Sequence, residues 1–135
     1  MDRRVFLASG MVALAIPSLG QAAFHYKPGM VKKLLTEGKT VVVDFTTEWC
    51  VTCAAQKRTI GALLDSDPAY RDHLTFVTAD YDIYGNSDLA KELNIPRRST
   101  IVVLHGDQEL ARVVAGTSKA QLRKLLDAGV AAATA

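Results

Sequence analysis

Cysteine is scarce. The 135 residues hold two, Cys50 and Cys53, inside "FTTEWCVTCAAQ". Two are too few for a disulfide scaffold, and one CxxC cannot by itself complete a closed structural zinc site. Tryptophan occurs once, as Trp49, directly before the pair. Neither charge sign is in excess: 16 basic residues against 14 acidic leave a net charge of +2, with no basic stripe. Nucleic acid is therefore not a natural partner. Long unbroken apolar runs are missing too. The best candidate, "VFLASGMVALAIPSLG", is interrupted by Ser9, Gly10, Pro17 and Ser18 and is too short for a comfortable membrane span. No internal repeat or second domain emerges. What remains is 49% apolar and 22% charged, a globular balance that suits one domain.

The N-terminus stands apart. "MDRR" is a basic start, the broken apolar run follows, and "GQA" places small residues for a cut after Ala22. This is the order of a signal peptide over residues 1–22, with an uncleaved anchor as the alternative. "DRRVFL" also resembles the twin-arginine export motif: Arg3, Arg4, Phe6 and Leu7 match, while Asp2 and Ala8 depart from it. Either route sends the remaining chain out of the cytosol, to a periplasmic location. There disulfides form and persist. A bridge between residues three apart closes a tiny loop and gains little chain-entropy stabilisation. Such a bridge is better suited to opening and closing.

The rest of the chain reads as alternating elements. "PGMVKKLLTEGK" predicts a helix with Met30, Leu34 and Leu35 on one face and Gly38 at its stop. "TVVVDFT" (40–46) predicts a buried strand. A helix follows from about Cys50 to Leu64, then a helical turn opened by Asp67 and Pro68. "LTFVTADY" (74–81) predicts a strand, "NSDLAKELN" (86–94) a helix, and "STIVVL" (99–104) with "ELARVVAG" a hairpin. "SKAQLRKLLDAG", capped by Ser118, closes the fold, and 130–135 reads as a frayed tail. The order α, β, α, β, α, β, β, α gives an α/β domain over 23–129, with a mixed central sheet and helices on both faces.

Cys50 falls in the turn between the first strand and its helix. Helix N-termini favour a thiolate, so Cys50 is the candidate nucleophile and Cys53, one turn further in, the candidate resolving thiol. A pair of inert buried cysteines is the alternative. Asp44 interrupts an apolar strand. A buried carboxylate tends to a raised pKa and is then suited to taking or giving a proton. A strand-edge aspartate bonded to backbone is the bland alternative. Arg97 and Arg98 are expected in a loop facing Cys50, where they would favour its thiolate. Glu48 would oppose it. His25, His73 and His105 are dispersed, with no ligand spacing, and no metal site is expected from them.

"VVVDFTTEWCVTC", with the element order after it, resembles the thioredoxin family over nearly all of the chain beyond residue 22. Asp44-Phe45 five residues before Trp49 is the specific part. Within the family, "DFTTEWCVTC", "DSDPAYRDHLTFVTADY" and "LAKELNI" most resemble the C-terminal periplasmic domain of the thiol:disulfide interchange protein DsbD. The resemblance implies a thioredoxin fold and a thiol–disulfide oxidoreductase passing electrons outward as a reductase. In it Cys50 attacks, Cys53 resolves, Asp44 handles protons, and Trp49, Arg98, Ser99 and Thr100 bind the partner polypeptide. It implies no cofactor beyond the Cys50–Cys53 disulfide, a protein disulfide as substrate, a membrane electron donor such as a DsbD-type carrier, and a monomer. A copper-binding or redox-switched binding module built on the same two cysteines is the alternative.

One position departs from the family. Ser99 stands where the family has a cis-proline, and Pro96 lies three residues too early to replace it. A cis bond before a non-proline residue costs about 2.5–4 kcal/mol, so the Arg98–Ser99 peptide is expected to be trans. The groove for a partner's backbone and the shielding of the thiols from metals are then expected to differ from the family's. A serine hydroxyl beside Cys50 is also able to hydrogen-bond its thiolate. Ala54 stands where many relatives carry lysine, which removes one positive charge from the surroundings.

Overall fold

A computed structural model of the protein describes residues 23–135. The export segment expected over 1–22 lies outside these residues. Five strands form one sheet: β1 (Phe24–His25), β2 (Thr40–Thr46), β3 (Leu74–Asp80), β4 (Thr100–His105) and β5 (Gln108–Val114), in the spatial order β1-β3-β2-β4-β5. β2 and β3 run parallel, whereas β2–β4 and β4–β5 are antiparallel. The sheet is mixed, as the hairpin at its C-terminal end required.

Alternation along β2 sorts the core into two layers. Val41, Val43 and Phe45 point to one face, where α1 (Met30–Thr36) and α5 (Asp88–Glu92) cover them with Val31 and Ala90. Val42 points to the other, against α2 (Val51–Ser66), α3 (Pro68–His73) and α6 (Lys119–Ala133), whose Leu63, Tyr70, Leu122, Leu125 and Leu126 are buried there. Each such valine, leucine or phenylalanine side chain stabilises the fold by about 1.5–3 kcal/mol relative to exposure. Asp44 shares the face of Val42 and thus lies on the α2 side of the sheet.

Several boundaries differ from expectation, each for a local reason. Phe24–His25, for which the sequence predicts no element, adds an edge strand beside β3. It is too short for an alternation signal, and what holds it is tertiary. The Tyr26 N–H donates to the Thr78 carbonyl at 2.8 Å, and the Tyr26 ring meets Tyr84 edge-on at 4.9 Å. β3 stops at Asp80, because its carboxylate caps the short helix α4 (Tyr81–Tyr84) by accepting from the Asp82 N–H. The helix expected over 86–94 is confined to Asp88–Glu92, opened by the Ser87 side chain. Asp67 closes α2 and also caps α3, with Pro68 in the first turn.

α6 continues to Ala133, past the stop expected at Gly129. Gly129 is what brings it close: a Cβ there would lie 2.8 Å from Leu74 and 3.1 Å from Val103. Val130 then packs onto the same core layer, so the last turn is held by burial rather than by propensity.

Candidate active site

β2 ends at Thr46, Glu48 and Trp49 make the turn, and Cys50 caps α2. Its backbone is extended (φ −86°, ψ 118°), and its Sγ accepts the Cys53 N–H at 3.2 Å. A sulfur thus takes the place that a serine or aspartate oxygen ordinarily holds at a helix start. It also sits where the free N–H groups and helix dipole favour negative charge. Cys53, on the first turn, is 1% exposed, and Cys50 is 5% exposed. Both are free thiols.

The third member of this group comes from the loop that leads into the neighbouring strand. Ser99 immediately precedes β4, which pairs with β2, and its N–H donates to the Phe45 carbonyl at 2.8 Å. The Ser99 hydroxyl lies 3.2 Å from the Cys50 sulfur and 3.0 Å from the Cys53 sulfur. No peptide among the described residues is cis, so the bond before Ser99 is trans, as expected. Ser99 instead takes a left-handed conformation, with φ 66°. That costs an L-residue about 1–2 kcal/mol and persists only where the surroundings hold it.

What holds it is a buried amide that the sequence reading passed over. Gln56, on α2 one turn beyond Cys53, is fully buried. Its Nε2 donates to the Ser99 carbonyl and to the Gly116 carbonyl, each at 3.0 Å. The Ala115 N–H also donates to the Ser99 carbonyl, at 2.8 Å. The available signal was spacing: Gln56 follows Cys53 by three, which on a helix places both on one face.

Burial pushes the Cys50 thiol up. It is outweighed by the Cys53 side chain, the Ser99 hydroxyl, the Cys53 N–H and Arg98, all of which favour the thiolate, and the net result is a pKa lowered to about 6. At neutral pH Cys50 is therefore a thiolate. Asp44 moves the other way. Desolvation raises it, Lys57 lowers it, the Cys50 charge raises it again, and it stands at about 6. Its Oδ1 is buried without a hydrogen-bond partner. The strand-edge reading, with the carboxylate bonded to nearby backbone, does not describe that oxygen.

The remaining site candidates divide. Trp49 is 60% exposed beside the pair, and its indole N–H donates to the Asp82 carboxylate at 2.8 Å. The Arg98 guanidinium lies 4.2 Å above its ring, a cation–π distance. Together with Val51 and Ile83, both exposed, Trp49 makes an apolar rim. Thr100 is not on that rim. It is fully buried, and its hydroxyl donates to the Arg97 carbonyl at 2.7 Å. Ser99 is likewise fully buried, so its side chain meets the thiols and not a partner's surface. Arg97 and Glu48 do not act on Cys50 as charge would suggest. Arg97 turns back to donate to the Arg98 carbonyl at 2.8 Å, and Glu48 is exposed to solvent, which screens it. Neither is among the groups that set the Cys50 pKa.

A stabilised thiolate at a helix start with a second thiol one turn away is the arrangement of thiol–disulfide oxidoreductases. The sulfur that ionises attacks, and its neighbour displaces the product. The thioredoxin family model matches residues 24–128, and the chain belongs to that family. Among its relatives, thioredoxin H-type 1 of Nicotiana tabacum is 31% identical over 110 residues, covering 82% of this chain and 78% of the relative. Thioredoxin H-type of Fagopyrum esculentum is 29% identical over 94 residues, covering 70% and 76%.

Two solved structures are similar in fold. The thioredoxin of Malassezia sympodialis has a TM-score of 0.67 at 25% identity, covering 80% of this chain and 93% of that one. Trxlp of Edwardsiella tarda has a TM-score of 0.68 at 23% identity, covering 78% and 98%. Proteins of this family act on protein disulfides and need no cofactor. Among the described residues no group of three or more His, Cys, Asp or Glu side chains is arranged to hold a metal ion.

Proposed function

We propose that this thiol–disulfide oxidoreductase works in the periplasm as a reductase of protein disulfides. Cys50 attacks the substrate disulfide, Cys53 resolves the mixed disulfide, and Asp44 accepts the proton that Cys53 gives up. Trp49 and Arg98 form the rim that meets the substrate polypeptide. A membrane carrier of the DsbD type returns the electrons. The observation that carries the chemistry is the Cys50 sulfur at the start of α2, accepting an N–H and facing a hydroxyl.

Direction and location rest on sequence. "DFTTEWCVTC" is similar to the DsbD domain that passes electrons outward, and residues 1–22 have the order of a cleaved export signal. Each hydrogen bond to the Cys50 thiolate favours the dithiol and makes the pair less reducing.

The test has three arms. The reduction potential of Cys50–Cys53 against glutathione is measured together with the metal content of the purified protein. A potential below that of the glutathione couple with no bound metal supports the reductase. Stoichiometric copper that disappears in Cys50→Ser overturns it in favour of a metal-binding module. Fractionation with N-terminal sequencing tests location: a periplasmic chain beginning at Ala23 is expected, and a cytosolic chain retaining Met1 refutes export.

A further inference from the structure

We propose that Ser99 is a catalytic residue whose hydroxyl follows the negative charge from Cys50 to Cys53 during disulfide exchange, the part played by no side chain where a proline occupies this place. The inference rests on the exchange chemistry above but not on its direction.

A hydroxyl carries one proton and two lone pairs. Its oxygen lies 3.2 Å from one sulfur and 3.0 Å from the other, within reach of both. It donates to one and accepts from the other. In the resting dithiol the Cys50 sulfur already receives the Cys53 N–H, which makes it the better seat for charge. The hydroxyl therefore donates to the Cys50 thiolate and accepts the Cys53 S–H. Three other charged groups act at the site. Arg98 approaches Cys50 from the loop before β4, Asp44 from β2, and Lys57 on α2 acts on Asp44. The hydroxyl, within reach of both sulfurs, changes partner by a single rotation.

In the first step the Cys50 sulfur bonds to one substrate sulfur and the substrate S–S bond breaks. The leaving sulfur carries off the electron pair and takes a proton from solvent. Cys50 is now a neutral disulfide sulfur and a poor acceptor. The Cys53 proton passes to the Asp44 carboxylate, and the Ser99 hydroxyl turns to donate to the Cys53 thiolate. Cys53 then bonds to the Cys50 sulfur, and the bond from Cys50 to the substrate breaks. The second substrate sulfur leaves with its electron pair and recovers the proton from Asp44. One disulfide is reduced to two thiols, the Cys50–Cys53 dithiol is oxidised, and Ser99 ends unchanged.

The backbone supplies an unusually clean test. At φ 66° glycine is the favoured residue, so Ser99→Gly deletes the hydroxyl while relieving strain. Ser99→Ala deletes it with the strain retained. The readouts need no protein substrate. One is the pH dependence of Cys50 alkylation; the other is the lifetime of a mixed disulfide formed with a small peptide disulfide. A hydrogen bond to a charged group is worth about 1.5–3 kcal/mol, so both variants should move the alkylation midpoint up by about 1–2 pH units. Both should also lengthen the mixed-disulfide lifetime about tenfold or more. A shift in only one variant, or an unchanged lifetime in both, overturns the proposal and leaves Ser99 a packing residue. Failure of the reductase reading shows up instead in the wild-type potential, which these ratios do not involve.

Discussion

The Gln56 side-chain amide donates to the Ser99 carbonyl from 3.0 Å and to the Gly116 carbonyl from the same distance. One buried side chain of α2 thereby fixes two loops that meet behind the cysteine pair. Without a proline ring to set the chain, this clamp and the Phe45 and Ala115 backbone bonds keep Ser99 in its left-handed conformation.

Gln56→Leu removes both N–H donors, leaving the Gly116 carbonyl without its side-chain partner and the Ser99 carbonyl with the Ala115 N–H alone. An unsatisfied buried group costs about 1–3 kcal/mol, so a loss of about 1–3 kcal/mol is expected in denaturant unfolding. The alkylation midpoint of Cys50 should rise as well, because the Ser99 hydroxyl is no longer aimed. A stability loss with an unmoved midpoint would make Gln56 structural only.

Stability of the reduced protein should pass through a minimum near pH 6. Asp44 has a folded pKa of about 6 against an ordinary 3.8. Its protonated form is favoured in the folded state, so stability falls as pH rises from about 4 to 6, by roughly 3 kcal/mol at most. Cys50 is depressed from 9.0 to about 6. Its contribution is fully present above pH 9 and is lost as pH falls through 6. Unfolding curves across pH 4–9 check this. Asp44→Asn should flatten the acid limb, and oxidation to the disulfide should remove the alkaline limb alone.

Two adjacent arginines should behave differently. Arg98→Ala removes a positive charge that lowers the Cys50 pKa and the cation over Trp49. The Cys50 midpoint should rise by about 0.5–1 unit, since the partly exposed charge is screened by solvent. Arg97→Ala should leave the midpoint where it is, because that side chain turns away to the Arg98 carbonyl. Equal shifts in both would mean that general charge, and not contact, sets the thiolate.

Trp49→Ala should separate substrate classes. Trp49 is exposed and tethered by Asp82, so its loss should change stability by less than about 1 kcal/mol. The kcat/KM for a protein disulfide should fall about tenfold, as for loss of a buried aromatic anchor, while exchange with glutathione stays near the wild-type rate. A parallel fall in both rates would place Trp49 in the chemistry rather than in binding.

Away from the site, the Tyr70 hydroxyl donates to the Asp127 carboxylate at 2.6 Å and joins α3 to α6. Burial, with Asp127 close by, pushes the Tyr70 phenol up to about 12. Tyr70→Phe should cost about 1–2 kcal/mol in unfolding and leave the Cys50 alkylation profile unchanged.

The sequence by itself determined the sheet and the chemistry. Both are written in local patterns. "TVVVDFT" is a short β-branched apolar run and reads as a buried strand, with Asp44 as its one charged interruption. The strand-to-helix turn places Cys50 at a helix start, and the residue spacing puts Cys53 one turn on. The absence of a proline at Ser99 was enough to expect a trans peptide. Tertiary structure alone decided what those residues meet. No periodicity marks Phe24–His25 as a strand, because β3 supplies its hydrogen bonds. Charge placed Arg97 and Glu48 with Arg98 around the thiol, yet of the three only Arg98 is among the groups that lower its pKa, since Arg97 turns back to a carbonyl, Glu48 faces solvent and Arg98 lies over Trp49. Thr100 and Gln56 exchanged importance for the same reason: one hydroxyl turned inward to a neighbouring carbonyl, and one amide crossed from α2 to hold Ser99. The cysteines are legible from a few adjacent letters. The hydroxyl between them comes from a residue far along the chain, brought there because β4 pairs with β2.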